Sequence, residues 1–354
     1  MNKGFLKEAG SNLIFWIIAC NLFVIYRYFG INDFFTPIIP REISLTFFEA
    51  NIIACIYGFL LSLIDFLLDN KKFKRRSFRN IMLIKSSAYS FMIFIAIVSV
   101  FILHGLLIER PNDFIYYLNY AITSQYTIAL FIYGVFMSVL LNFIKQVNKK
   151  FGPGILWKLF SGKYHQPRQE ERIFMFLDLR SSTTIAEKLG HIKYSQFIQD
   201  CFYDITAIIP AYRAEIYQYV GDEIVLTWET EKGIENENCF RFFFAFKKLL
   251  NETDDFYMKK FGIVPEFKAG MNCGYVTVAE IGEIKKEIAY HGDVLNTAAR
   301  IQEQCNTYSK DILISHELHK LMPRFEGFKG KMIGEVYLKG KQISTGLYSL
   351  EMAG

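Results

Sequence analysis

Four long apolar runs occupy the first 145 positions: Leu13–Phe29, Leu45–Leu68, Met82–Leu107 and about Ala121–Ile144. Each is long enough to cross ~30 Å of hydrocarbon as a helix. Lys3 and Lys7 precede the first run, KKFKRRSFR follows the second, and KQVNKK follows the fourth. The segments around Asn32–Arg41 and Glu109–Asp113 carry few Lys or Arg. The positive-inside rule therefore predicts a four-span, multi-pass domain in an inner or plasma membrane, with both termini cytoplasmic. The first run lacks a small-residue cleavage site, which argues against a signal peptide.

Glu49 and Asp65 interrupt the second run, and Lys85 and His104 stand near the ends of the third. Asp65, Lys85 and His104 are expected to reach the membrane interface, leaving Glu49 as the candidate for packing or sensing. Residues 145–170 read as a linker. The Phe151-Gly-Pro-Gly154 stretch breaks the helix, and ILWKLF forms an amphipathic turn that suits a membrane surface through Trp157.

Beyond Arg172 the pattern changes to short alternating strands separated by helical periodicity. A strand runs to Leu179, a helix from about Thr183 to Ile209, and a hairpin turns at Gly221-Asp222 within YQYVGDEIVLTW. An aromatic-rich helix spans about Asn236 to Phe261, its Phe240–Phe246 cluster reading as core. A strand pair, EFKAGMNCG and VTVAEIG, follows, then EIAYHGD, a helix from Asp293, the strand DILIS, and final strands at Phe325–Leu338 and STGLYSLE. The β-α-β-β-α-β order predicts an α+β, ferredoxin-like domain over 171–354 with C-terminal additions, after a four-helix membrane domain over 1–144.

The 354 residues leave room for both domains, and the 52% apolar content reflects the first of them. A formal charge of +5, partly in clusters beside apolar runs, fits membrane topology and gives no nucleic-acid footprint. Cys20, Cys55, Cys201, Cys239, Cys273 and Cys305 form no CxxC pair.

Candidate chemistry lies in three motifs. If the strands are neighbours, Asp178 of LDLRSST and Asp222 of VGDE share one corner of a sheet. Carboxylates converging at ~4 Å repel unless a divalent cation lies between them, as in two-metal phosphoryl transfer; taken singly, each is equally a turn or strand-end aspartate. In HGDVLNTAARIQ, Asp293 suits an N-cap and Asn296 and Arg300 fall four apart on one helix face. An amide beside a guanidinium suits a ribose and a developing phosphate charge, although an ordinary surface helix has the same pattern. HELH at 316–319 lacks the HExxH spacing and reads as a solvated helix face.

Together the motifs resemble the class III nucleotide cyclases, over roughly Arg172–Leu350. The resemblance implies metal binding by Asp178, the Leu179 carbonyl and Asp222, with two Mg²⁺ or Mn²⁺ ions per site. It implies ribose orientation by Asn296 and transition-state stabilisation by Arg300. Triphosphate contacts would come from Lys339 and from Lys268. It further implies a membrane-anchored adenylate cyclase making cyclic AMP and pyrophosphate from ATP. Its sites would lie between the subunits of a homodimer, beside membrane lipid and with no nucleic-acid partner.

Two departures concern the purine. Gln218 stands where many adenylate cyclases have lysine, and Ala289 where they have aspartate. GTP is therefore the alternative substrate. A catalytically silent membrane sensor or scaffold is a further alternative. A diguanylate cyclase is disfavoured, because the turn reads Val220-Gly221-Asp222-Glu223-Ile224 and lacks that family's Gly-Gly-acid-Glu-Phe pattern.

Overall fold

The computed structural model describes residues 3–30, 43–68, 73, 76–104, 114–152, 154–321, 327–337 and 344–352. The chain divides into two compact units, Met1–Pro153 and Gly154–Gly354.

The first unit is helical: α1 (Lys3–Gly30), α2 (Ile43–Leu68), α3 (Phe78–His104), α4 (Phe114–Thr123) and α5 (Gln125–Phe151). Four of these contain segments long and apolar enough to cross a membrane: Glu8–Tyr26, Ala50–Leu68, Phe78–Ser99 and Thr127–Lys150. Ser124 caps α5 by accepting from the Thr127 N–H, which separates it from α4. Trp16, Ala19, Ala54, Tyr57, Leu61, Tyr89, Ile93 and Leu141 form the core, while Ile14, Ile18, Phe59, Phe91 and Phe136 stand exposed. Apolar side chains thus cover the outside as well as the core, and hydrocarbon is the solvent such an exterior suits. At Gly58 a Cβ would come within 2.9 Å of the Leu13 Cα, so the α1–α2 crossing depends on that glycine.

Asp65 and Lys85 do not reach outward. Both are buried, with Lys85 Nζ 2.5 Å from Asp65 Oδ1 and Lys145 Nζ 2.5 Å from Oδ2. Tyr89 donates to the same carboxylate. An unpaired charge in an apolar bundle costs far more than a paired one, and three donors from two other helices converge on this aspartate. Asn12 to Ser62 and Asn142 to Ser86 add further interhelical hydrogen bonds at 2.7 and 3.0 Å. The side chains of Glu49 and His104 lie outside the described residues.

Gly152 and Gly154 both have positive φ, and the helix leaving the first unit stops at Phe151 with Gly152 as its C-cap. In the second unit, α6 (Ile155–Phe160) carries exposed Trp157 and Phe160, as an amphipathic surface turn requires. Tyr164 is buried and accepts the Glu280 N–H through its carbonyl, so the segment before the first strand is already packed.

Then come β1 (Arg168–Leu179), α7 (Ser182–Leu189), α8 (His191–Ile208), β2 (Glu215–Val220), β3 (Glu223–Glu229), α9 (Asn238–Glu252), α10 (Asp254–Phe261) and β4 (Phe267–Ile281). β5 (Glu287–His291), α11 (Asp293–Thr307), β6 (Ile312–Ser315), α12 (His316–Leu321), β7 (Phe328–Val336) and β8 (Thr345–Met352) complete it. The sheet order is β2-β3-β1-β4-β6-β8-β7, with β5 also on β4. Its first four strands give the ferredoxin-like core and the remainder are the C-terminal additions.

Three elements differ from the sequence reading. Gly190, at φ +71°, divides the first predicted helix into α7 and α8. The aromatic helix breaks at Thr253 into α9 and α10. The predicted strand pair is one 15-residue strand, β4, because Gly274 continues the extended chain instead of turning it. The aromatic cluster is core as expected: Phe240, Phe242, Phe243 and Phe246 pack with Trp228 beneath the sheet.

Candidate active site

β1 is central, and IFMFLDL is apolar on both faces because both are covered. Ile173, Met175, Leu177 and Leu179 face the α8–α9 side, while Phe174 and Phe176 face the α11 side. Alternation puts Asp178 on the α11 side at the strand end. There it pairs in register with Glu223 of β3 and Lys268 of β4. The two-residue turn Gly221-Asp222, with Gly221 at φ +62°, leads directly into Glu223.

Lys268 Nζ lies 3.2 Å from Asp178 Oδ2, and Gln302 Nε2 donates to the same oxygen at 2.9 Å. Gln302 reaches it because α11 lies directly on β4. A Cβ at Gly270 would sit 2.1 Å from the Gln302 nitrogen and 2.6 Å from the Ala298 carbonyl oxygen. The motif reading missed Gln302. Its signal is a polar residue within the buried face formed by Ala298, Ile301 and Cys305.

Burial raises the Asp178 carboxyl above its ordinary range, and the nearby Asp222 charge adds to this against the opposing Lys268 ammonium. Glu223 is pushed up to about 7, first by burial and then by Asp178 and Asp222. Three carboxylates thus face one ammonium. Among the described residues, no three His, Cys, Asp or Glu side chains close into a ligand cluster. Two aspartates on an open, under-neutralised corner fit a hard divalent cation that takes its other ligands from water and substrate phosphates. Leu179 ends β1 with its side chain buried.

Asn296 is exposed and Arg300 half-buried; neither makes a side-chain hydrogen bond or ion pair to the described residues. At 3.6 residues per turn they share the face opposite Ala298, Ile301 and Cys305, turned away from their own sheet. The fold therefore does not bring them to Asp178 of the same chain.

Gln218 is exposed on β2 just after a bulge at Tyr217, and Ala289 is buried on β5 opposite Ala279. Although β2 and β5 are not paired, the Tyr217 and Tyr290 rings meet edge-on with centroids 4.9 Å apart. The two predicted purine positions flank that contact. Lys339 lies outside the described residues. The HELH helix is less solvated than expected: His316 Nδ1 lies 3.1 Å from the Tyr348 hydroxyl, and His319 stacks on the Tyr348 ring.

Residues 164–351 match the family model "Adenylate and Guanylate cyclase catalytic domain". "Adenylate cyclase 2" of Rhizobium meliloti (strain 1021) is 30% identical over 219 residues, which are 62% of this chain and 60% of that protein. The "Receptor-type guanylate cyclase gcy-6" of Caenorhabditis elegans is 23% identical over 197 residues, covering 55% of this chain and 18% of the relative. The chain thus spans less than two thirds of either relative. Among solved structures, a bacterial light-regulated adenylyl cyclase superposes with a TM-score of 0.54 at 18% identity, over 64% of this chain and 66% of that one. Since the family match takes in more than half of the chain and contains the Asp178 corner and the Asn296–Arg300 helix, this protein belongs to the adenylate and guanylate cyclase catalytic domain family.

Proposed function

We propose that this chain is a membrane-anchored adenylate cyclase acting as a homodimer, converting ATP to 3′,5′-cyclic AMP and pyrophosphate. The observation that carries the reading is a division of labour. The under-neutralised Asp178 corner lies at the sheet end beneath α11, whereas Asn296 and Arg300 lie on the face of α11 turned away from that sheet. Two copies arranged head to tail would bring each half against the other and complete two equivalent sites.

Asp178 and Asp222 would hold two Mg²⁺ or Mn²⁺ ions, with the Leu179 carbonyl beside them. Bound there, the ions would favour the ionised ribose 3′-oxygen and offset phosphate charge. Lys268 and Gln302 hold the Asp178 carboxylate in one orientation. The first-turn N–H groups of α7, which follow Asp178 by four residues, favour an anion at the same corner. The partner's copy of Asn296 would orient the ribose while its copy of Arg300 stabilises charge on the α-phosphate. The 3′-oxygen then bonds to the α-phosphorus as the bond to the pyrophosphate oxygen breaks. Gln218 and Ala289 would face the purine, and Lys339 the triphosphate.

Guanylate cyclase activity is the second reading, favoured by the amide of Gln218, which donates and accepts. The test is incubation of the purified full chain with ATP or GTP plus Mn²⁺, with the product identified by mass spectrometry. Cyclic AMP is the expected main product. No cyclic nucleotide from either substrate would overturn the reading.

A further inference from the structure

The helical unit has a half-open cavity of about 120 Å³ between α1, α2, α3 and α5. Ile53, Ile93, Ile97 and Leu130 make most of its wall apolar. An engineered protein cavity of about 150 Å³ with a comparable lining binds benzene, so this one has room for a single ring.

Two of its lining residues carry polar atoms that the fold leaves unsatisfied. Trp16 is 3% exposed and Tyr57 5%, and their rings meet with centroids 5.2 Å apart. Among the described residues, neither the Trp16 indole N–H nor the Tyr57 hydroxyl has a hydrogen-bond partner. Tyr133, on the same wall, gives its hydroxyl to the Ala19 carbonyl, so the bundle does satisfy such groups where nothing else is to be bound. Elsewhere in this unit Asn12, Asn21, Asn142 and Asp65 also find partners for their donors or charges on neighbouring helices. A buried donor left without a partner is costly, and here two such donors belong to touching residues on the wall of one apolar void. Indole N–H only donates, so the complementary group must accept.

We propose that this cavity is a ligand site for a single-ring apolar compound bearing a carbonyl-type acceptor, held by Trp16 Nε1 and Tyr57 Oη. The ring fills the apolar wall and its oxygen accepts from one or both donors. Two sources share that chemistry, a free small molecule and the ring end of a tailed lipid. The site belongs to the helical unit, and the proposal does not rest on the reaction assigned to the Asp178 corner.

Acetophenone and ethylbenzene form a matched pair of probes, since they differ chiefly in the acceptor and neither alkylates Cys20. Thermal unfolding of the full chain in detergent micelles is followed at equal free probe concentration, with 4′-dodecylacetophenone as a third arm. Acetophenone or its tailed form should raise the melting temperature saturably, with at least about tenfold tighter binding than ethylbenzene. Tyr57→Phe keeps the ring and removes the donor. It should weaken the carbonyl probes about tenfold, leave ethylbenzene unchanged, and raise the melting temperature of the probe-free chain. Trp16→Phe provides a second route to the same loss if Tyr57→Phe does not fold. Saturable binding of the tailed compound alone assigns the site to a lipid ring, and binding of both carbonyl probes assigns it to a free molecule. Equal affinity for acetophenone and ethylbenzene, or no saturable binding of either carbonyl probe, overturns the proposal. So does a carbonyl response that neither variant changes.

Discussion

Lys268 faces Asp178 across the β1–β4 ladder, with its ammonium 3.2 Å from the carboxylate oxygen that Gln302 also contacts. One carboxylate is thus held from a strand and from a helix. Removing it is expected to be severe. Asp178→Ala should lower kcat by at least ~10²-fold, the scale of losing a principal electrostatic contact in a transition state. Lys268→Met removes the competing cation, so half-saturating Mn²⁺ should fall about tenfold even as turnover drops. Near-normal turnover in Asp178→Ala would move the site elsewhere, and a higher Mn²⁺ requirement in Lys268→Met would assign Lys268 to another role.

The separation of Asp178 from Arg300 within one subunit gives a complementation test. Asp178→Ala and Arg300→Ala chains should each be nearly inactive. Co-expressed, they should regain up to about a quarter of wild-type activity, because half of randomly paired dimers are mixed and each rebuilds one of two sites. Mixed dimers isolated with two tags and found inactive would exclude the shared-site arrangement.

How far these residues were legible beforehand follows from what each depends on. Asp178, Asp222, Asn296 and Arg300 lie in local patterns, a strand end, a hairpin turn and one helix face, which periodicity and turn residues specify. Gln302 depends on how closely α11 lies on β4, and Gly270 sets that distance only once the two elements are known to be neighbours. The Asp65–Lys85 pair joins different helices, and nothing in either segment specifies which face turns inward. Gly190 and Thr253 divide helices whose apolar periodicity continues across the break, so periodicity hid both.

That buried pair is itself testable. Asp65→Asn keeps the volume but leaves Lys85 without its counter-charge and Lys145 with only Glu8, 3.6 Å away. Stripping one member from a buried ionic cluster costs on the order of 3 kcal/mol. Unfolding of the full chain in mixed micelles should therefore shift to markedly lower denaturant. Asp65→Leu combined with Lys85→Met should recover part of the loss, since no bare charge then faces Asp65's position from α3. Wild-type stability in Asp65→Asn would mean that both lysines find solvent.

Arg172 predicts the acid limit of the catalytic unit. Its side chain is fully buried, held by Glu170 and Glu215 at 3.0 and 3.1 Å and standing over the Tyr290 ring. Burial alone would raise the Glu215 carboxyl, but Arg172 and Lys158 outweigh it and hold the group below its ordinary 4.5. Glu170 is lowered in the same way, with Tyr164, Arg172 and Lys163 overcoming burial. A carboxylate whose pKa is depressed by folding contributes stability above its unfolded value and loses it as pH falls through the folded one. Urea midpoints should therefore decline between about pH 5 and pH 3. Glu215→Gln should start lower at neutral pH and decline less steeply. Identical slopes for both proteins would remove Glu215 from the account.

The proposed site predicts that base choice turns on Gln218 and Ala289. A lysine at the first position can only donate, which suits the acceptor N1 of adenine, and an aspartate at the second accepts from its amino group. Gln218 donates and accepts, and rotation of its amide lets one side chain meet the edge of either adenine or guanine. Its position on β2 is exposed, and no hydrogen bond from the described residues fixes the rotation. Ala289 is buried in the β4–β5 ladder and offers no polar side chain. Losing one charge-assisted contact reduces discrimination by roughly 1–3 kcal/mol, or about one to two orders of magnitude in kcat/KM. ATP should still be preferred, because the glutamate and small polar residue typical of guanylate cyclases are absent from these positions. The ratio should be smaller than a lysine–aspartate pair would give, and Gln218→Lys with Ala289→Asp should widen it. The measurement is kcat/KM for ATP and GTP in wild type and double variant under one metal concentration. An unchanged ratio would mean that neither position reads the base. Cyclic GMP as the main wild-type product at equal ATP and GTP would reverse the substrate assignment while leaving the cyclase reading intact.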